Sequence, residues 1–73
     1  MIIFTGASGE IGSFLLDKFY GEGFEVVGVD VNLPKDKSQV NIRFESLDIS
    51  NTESLKAFWK SIEFNQKITL VNL

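Results

Sequence analysis

The sequence predicts an α/β fold: a partial doubly wound parallel sheet of four strands, with two main helices packed against it. Short apolar runs alternate with segments of helical periodicity along the 73 residues, and strands that alternate with helices form parallel sheets. A glycine-rich segment also separates the first apolar run from the first helical segment. Since crossovers between parallel strands are right-handed, we expect the strand order 3-2-1-4 with a helix on each face.

The first strand and the first helix come directly one after the other. Residues 1–5 form a short apolar run that ends at glycine, which is typical of a strand buried on both faces. A helix over residues 10–20 is predicted because six apolar residues share one helical face: Ile11, Phe14, Leu15, Leu16, Phe19 and Tyr20. We expect Gly21 to end this helix, because glycine adopts the left-handed conformation without a Cβ clash.

The next segments predict two strands separated by a loop. Residues 24–31 are mostly apolar and β-branched and predict the second strand. Residues 32–40 are polar, include the single proline and predict a surface loop. Residues 41–44, or 41–45, alternate between polar and apolar side chains and predict a short third strand.

The second helix and the fourth strand complete the pattern. Ser50 and Glu53 have the spacing of a capping box, which marks a helix start. Four apolar side chains then repeat on one helical face and are expected in the core: Leu55, Phe58, Trp59 and Ile62. Residues 63–67 are polar, and residues 68–72 predict the fourth strand.

Composition and charge disfavour several classes of protein. The net charge of −3 disfavours an electrostatic nucleic-acid binder. The absence of Cys and His excludes a disulfide scaffold and argues against a zinc site. The N-terminus lacks the basic region and long apolar stretch of a signal peptide, and no apolar run is long enough to cross a membrane. We therefore expect a cytoplasmic protein that binds neither nucleic acid nor membranes.

The glycine-rich segment carries the chemistry of this sequence. Gly6, Gly9 and Gly12 are three residues apart, between the first strand and the first helix. Gly6 allows a sharp turn, Gly9 allows a pyrophosphate to approach the backbone, and Gly12 allows the helix to pack close to the sheet. The first N–H groups of the helix, at Glu10 and Ile11, favour a phosphate. A simple strand-to-helix turn that binds nothing is the alternative interpretation.

An acidic residue at the end of the second strand favours a dinucleotide. Asp30 lies 18 residues after Gly12, near the distance at which such a carboxylate binds the ribose hydroxyls of adenosine. Its charge would also repel a 2′-phosphate, which favours NAD over NADP. Alone, Asp30 is better explained as a solvated residue at a strand end, and the glycines are what favour the binding role.

The segment T-G-A-S-G-E-I-G, followed by V-V-G-V-D, resembles the N-terminal half of a short-chain dehydrogenase/reductase. The spacing T-G-x-x-G-x-x-G is similar to that of the extended sub-group, which includes NAD-dependent epimerases and dehydratases. The resemblance implies a Rossmann fold and contacts from Asp48 and Ile49 to the adenine ring. It implies that residues 1–73 are the N-terminal part of an NAD(P)-binding domain.

The same resemblance implies that this chain lacks the family's catalytic and substrate-binding parts. Members of the family use a Tyr-x-x-x-Lys pair, whereas the single tyrosine, Tyr20, is followed four residues later by Phe24. No catalytic residue is predicted, and we expect the chain alone to be inactive. A non-catalytic nucleotide-binding module and a truncated gene product are the alternatives. We also expect self-association or strand pairing through an exposed fourth strand, because unpaired strand edges invite pairing.

Overall fold

The structure, a computed structural model, describes residues 1–32, 42–62 and 67–73. Within these residues lie two helices and four strands, in the order β1 (Ile2–Thr5), α1 (Glu10–Gly21), β2 (Val26–Asp30), β3 (Arg43–Ser46), α2 (Thr52–Lys60) and β4 (Thr69–Asn72). The predicted polar segments 33–40 and 63–66, and the predicted strand start at Asn41, lie outside the described residues. Each described element falls within one or two residues of its predicted bounds.

All four strands are parallel and form one sheet in the order β3-β2-β1-β4. In the register, Ile2 of β1 lies beside Val26 on one side and Thr69 on the other. The predicted strand order and fold class are therefore confirmed. Because all strands point the same way, their carboxyl ends share one edge of the sheet, where ligands of doubly wound folds bind.

The two faces of the sheet carry separate hydrophobic clusters, which place a helix on each face. The cluster under α1 is centred on Phe4, Leu16 and Val26. The cluster under α2 is centred on Ile3, Val27 and Phe58. Successive residues of β1 thus bury their side chains on opposite faces, as a fully buried parallel strand requires.

The predicted apolar face of α1 is partly wrong. Gly12 and Leu16, four residues apart, are the buried residues of this helix. Ile11 and Phe14 are instead 70% and 67% exposed. Since the small Gly12 allows the closest approach of the helix, the helix is rotated about its axis so that the line through Gly12 faces inward. Leu15, Phe19 and Tyr20 only flank the cluster.

Two predicted helix-end signals are also displaced. Asn51, not Ser50, is the N-cap of α2, and its side chain accepts a hydrogen bond of 3.0 Å from the Ser54 N–H. Helix α1 runs through Gly21, and the left-handed glycine after it is Gly23, with φ of 94°. At each helix end the sequence contains two suitable residues, Ser50 and Asn51 or Gly21 and Gly23. In each pair the later residue has the required backbone conformation.

Candidate functional site

A turn over residues 6–9 joins β1 to α1 at the carboxyl edge of the sheet. Gly6 begins this turn with φ of 66°, a left-handed conformation that side chains rarely adopt. The next two residues fasten the turn to β2: the Ala7 N–H donates to the Val29 carbonyl at 3.2 Å, and the Ser8 N–H donates to the Asp30 carboxylate at 3.0 Å. The turn is thus held beside the end of β2.

Gly9 leaves the N-terminus of α1 open. Gly9 is the N-cap residue, it is exposed, and no side chain caps the helix. A Cβ placed on Gly9 would have only the Gly6 carbonyl oxygen, at 4.0 Å, within contact distance. The first N–H groups of an α-helix have no intrahelical partner. Those of Glu10, Ile11 and Gly12 can therefore bind a phosphate, toward which the positive end of the helix dipole points.

The side chains at the start of α1 leave this N-terminus accessible. Glu10 and Ile11 are both exposed, so their contribution to a phosphate site is their main-chain N–H groups. A carboxylate in the first turn is also favourable to the helix dipole. The charge of Glu10 therefore stabilises the helix start, and its side chain can extend into solvent when a phosphate binds.

Gly12 allows a close contact, although not with the partner predicted from the sequence. A Cβ on Gly12 would lie 2.7 Å from the Ala7 Cα and carbonyl oxygen. The helix therefore approaches the turn that follows β1, rather than a strand of the sheet. Ala7 is completely buried by this contact. Gly12 therefore packs against the buried side of the turn, whereas Gly9 leaves the solvent-facing side of the turn open.

Asp30 faces the glycine turn from the end of β2. One carboxylate oxygen, Oδ2, accepts hydrogen bonds from the Ser8 hydroxyl at 2.7 Å and from the Ser8 N–H at 3.0 Å. The other, Oδ1, accepts one from the Val31 N–H at 2.7 Å. The Ser8 hydroxyl, and after it the Ser8 N–H, lower the pKa of Asp30, because these bonds favour the charged form. At neutral pH the site therefore contains an anchored anion.

The sequence analysis missed Ser8, although it is the residue that joins the glycine turn to Asp30. The contact spans 22 residues and forms only when β1 and β2 pair. The sequence does contain a signal for this contact: a residue with a hydroxyl group lies in the glycine segment after β1, and an acidic residue lies at the end of the next strand, β2. Hydrogen bonds of this kind to a carboxylate are stronger than neutral ones.

Asp48 and Ile49 follow β3 at the same edge of the sheet. The Asp48 carboxylate accepts hydrogen bonds from the Ser50 N–H at 2.9 Å and the Ser50 hydroxyl at 2.7 Å. The Ser50 hydroxyl, followed by the Ser50 N–H, lowers the pKa of the exposed Asp48. These bonds order the loop before α2. Asp48 is thus tied to its own loop, whereas Asp30 is tied to the glycine turn.

An apolar groove of about 250 Å³ opens between α2 and the sheet. Ile49, which is 49% exposed, belongs to its wall. The side chains of Thr5 and Asn72 also line the groove and are hydrogen-bonded to each other, Thr5 Oγ1 donating to Asn72 Oδ1. The groove therefore offers a flat apolar ligand a surface next to the ends of the strands.

The remaining candidates are structural. Tyr20 packs against the cluster under α1, as predicted. Within residues 1–32, 42–62 and 67–73, no group of three or more Asp or Glu side chains could hold a metal ion. In the same part of the chain, no helix is long and apolar enough to cross a membrane.

An anion site at a glycine turn, facing a strand-end acid in a doubly wound sheet, defines a nucleotide-binding α/β protein. The chain belongs to the NAD dependent epimerase/dehydratase family, whose model matches residues 2–71. The family and the nucleotide-binding part predicted from the sequence are confirmed by this match.

Two solved structures are similar to the chain. One is a short-chain dehydrogenase from Leptospira borgpetersenii serovar Hardjo-bovis with bound NAD⁺, with 30% identity and a TM-score of 0.81. The other is the L-threonine dehydrogenase from Clostridium difficile, with 25% identity and a TM-score of 0.75. The likeness covers 97% and 99% of this chain but 29% and 23% of those proteins, respectively. No curated protein matches the chain.

Proposed function

We propose that this chain binds NAD, with the pyrophosphate at the open N-terminus of α1 and the adenosine ribose at Asp30. The observation that carries the proposal is the anchored Asp30 carboxylate across the glycine turn, 2.7 Å from the Ser8 hydroxyl. Family membership and the NAD-bound Leptospira relative support this choice of ligand. Gly9 is exposed and, among the described residues, no side chain makes a capping hydrogen bond to α1, which fits a pyrophosphate.

Charge at Asp30 favours NAD over NADP. The carboxylate is ionised at neutral pH, since its ordinary pKa of 3.8 already lies far below 7 and hydrogen bonds from Ser8 lower the pKa further. A 2′-phosphate on the adenosine ribose would place a second anion beside it, and like charges repel. We expect the adenine ring to lie near Asp48 and against Ile49, at the mouth of the apolar groove. The cytoplasmic location predicted from the sequence stays a prediction.

We assign no catalytic step to these residues. NAD accepts or donates a hydride when an enzyme of the family acts, and the part described here binds and orients its adenosine half. We propose that the whole protein is an oxidoreductase or an isomerase. Such an activity requires catalytic residues, such as the Tyr-x-x-x-Lys pair of the family, that residues 1–73 do not contain. A non-catalytic NAD-binding module is the alternative. A Tyr-x-x-x-Lys segment encoded beyond residue 73 would favour the enzyme over the module, whereas the chain alone should show no turnover in either case.

Calorimetry with the chain tests NAD binding. We expect heat and a rise in melting temperature with NAD at millimolar concentration, and a weaker effect with NADP. A ligand that binds only the folded protein stabilises it by mass action, so the two readouts should agree. An absence of both heat and thermal shift would refute the proposed function.

We also propose that β4 pairs with β4 of a second copy. The strand lies at one edge of the sheet, and its Leu70 side chain is 55% exposed. Since the Thr69 and Leu73 N–H groups bond to β1, those of Leu70 and Asn72 point away from the sheet. The opposite edge, β3, carries an ion pair between Arg43 and Glu45, and charged edges discourage pairing.

A further inference from the structure

One oxygen of the Asp30 carboxylate, Oδ2, already accepts two hydrogen bonds. A carboxylate offers about four acceptor positions. Two of them, on Oδ2, are taken by the Ser8 N–H at 3.0 Å and the Ser8 hydroxyl at 2.7 Å. On Oδ1, the Val31 N–H donates at 2.7 Å. A ribose hydroxyl that is to bind Oδ2 must therefore replace one of the two Ser8 donors.

The Ser8 hydroxyl is the donor that can be replaced with the least change in structure. The other two donors, at Ser8 and Val31, are main-chain N–H groups fixed by the path of the glycine turn and by the end of β2. The hydroxyl instead moves by rotation about a single side-chain bond. Ser8 is half-buried, so the displaced hydroxyl keeps access to water. The turn stays attached to Asp30 meanwhile, because the Ser8 N–H keeps its own bond to Oδ2.

We propose that the Ser8 hydroxyl is a stand-in for a ribose hydroxyl: it occupies Oδ2 of Asp30 in the free protein and yields that position when adenosine binds. This inference rests on the proposed NAD binding and adds a residue that sets the affinity. Binding of the ribose exchanges one charge-assisted hydrogen bond for another, so part of the gain is lost. In a chain without this hydroxyl water takes the position on Oδ2, and because water is displaced more easily than a hydroxyl held by the chain, nucleotide binds more tightly.

Substitution of Ser8 separates this role from a structural one. Ser8→Ala keeps the main-chain N–H and removes only the hydroxyl, and we expect about fivefold tighter NAD binding in calorimetry. Ser8→Thr retains a hydroxyl and should bind as the wild type does. Ser54→Ala, on an exposed position of α2, is the matched control. Ser8→Gly also lacks the hydroxyl and replaces the alanine variant if circular dichroism shows that variant to be unfolded.

Two nucleotide probes identify the ribose as the competing group. The gain of Ser8→Ala should appear with ADP and vanish with 2′,3′-dideoxy-ADP, which has no ribose hydroxyl to bind Asp30. NAD binding by Ser8→Ala that equals or falls below that of the wild type would overturn the inference alone. A gain that persists with the dideoxy nucleotide would also overturn it. Absence of NAD binding by every variant would overturn the proposed function and this inference with it.

Discussion

Gly12 of α1 lies against the backbone of Ala7, so close that a Cβ on Gly12 would be 2.7 Å from the Ala7 Cα. Real Cβ atoms do not come so near to backbone, and backbone moves less easily than the end of a side chain. The contact explains why a glycine recurs six residues after Gly6. This contact holds the first turn of α1 against the turn over residues 6–9, which is the proposed phosphate site.

Substitution of Gly12 tests this contact. Gly12→Ala should lower the free energy of unfolding by about 1–3 kcal/mol, because overpacking displaces the Ala7 backbone. Gly21→Ala is the control in the same helix, since a Cβ there has no neighbour within 4 Å. Alanine is the better helix former by up to about 1 kcal/mol, so this variant should be as stable as the wild type or more stable. Urea unfolding followed by circular dichroism measures both, and equal loss in the two variants would contradict the account.

The charge of Asp30 should set the preference between the two dinucleotides. Asp30→Asn keeps the size of the side chain and removes the charge, so the ratio of NAD to NADP affinity should fall about tenfold, the result of about 1.4 kcal/mol. Asp30→Ala should weaken NAD binding as well, because the ribose loses its acceptor. Glu53→Gln, an exposed acid in the first turn of α2, is the charge-matched control. An unchanged ratio in Asp30→Asn would rule out the assigned role.

The lowered pKa of Asp30 predicts a dependence of stability on pH. The Ser8 hydroxyl and N–H hold this pKa below its ordinary value of 3.8 in the folded protein. The contribution of Asp30 to stability is therefore present above the unfolded-state pKa and is lost as the pH falls through the folded-state pKa. Urea midpoints should decline below about pH 4, and Asp30→Asn should flatten part of this decline. The remaining slope should include Asp48, whose pKa is also lowered. Identical pH profiles of wild type and variant would contradict this prediction.

Pairing through β4 can be blocked without disturbing the sheet. Leu70→Pro removes an N–H group that points away from β1, and proline is tolerated at such edge positions. Sedimentation should show a concentration-dependent dimer in the wild type and a monomer in this variant. Asn32→Ala, which lies at neither edge strand, should dimerise like the wild type. A wild-type chain that stays monomeric at high concentration would refute the pairing.

Local patterns determined the alternation of strands and helices, and the rule that crossovers are right-handed then allowed the strand order to be predicted. The apolar run of β1 and the two helical segments each bury a face that only a parallel sheet can cover. The Gly6 turn could be predicted for the same reason, since a left-handed residue between strand and helix is a local requirement. Asp30 was found because a fixed spacing relates it to the glycines.

The remaining features depend on contacts between distant residues. Ile11 and Phe14 look like core residues in the periodicity of α1, yet the approach of Gly12 to Ala7 turns them outward. Ser50 and Asn51 are both good N-cap residues, and the Asp48 side chain, by binding Ser50, leaves the cap to Asn51. The bond between Ser8 and Asp30 requires β1 and β2 to pair first, so no local pattern contains it.

Amide chemical shifts of the isotope-labelled chain, measured during titration with NAD, test the central claim most directly. The account predicts concentration-dependent shifts at the amides of Gly9, Glu10, Ile11 and Gly12, together with Ser8 and Val31 on either side of the Asp30 carboxylate. The outer surface of α2, at Lys56 and Lys60, should be unaffected. Absence of shifts at the glycine turn, or shifts confined to α2, would contradict the claim that this turn binds the pyrophosphate of NAD.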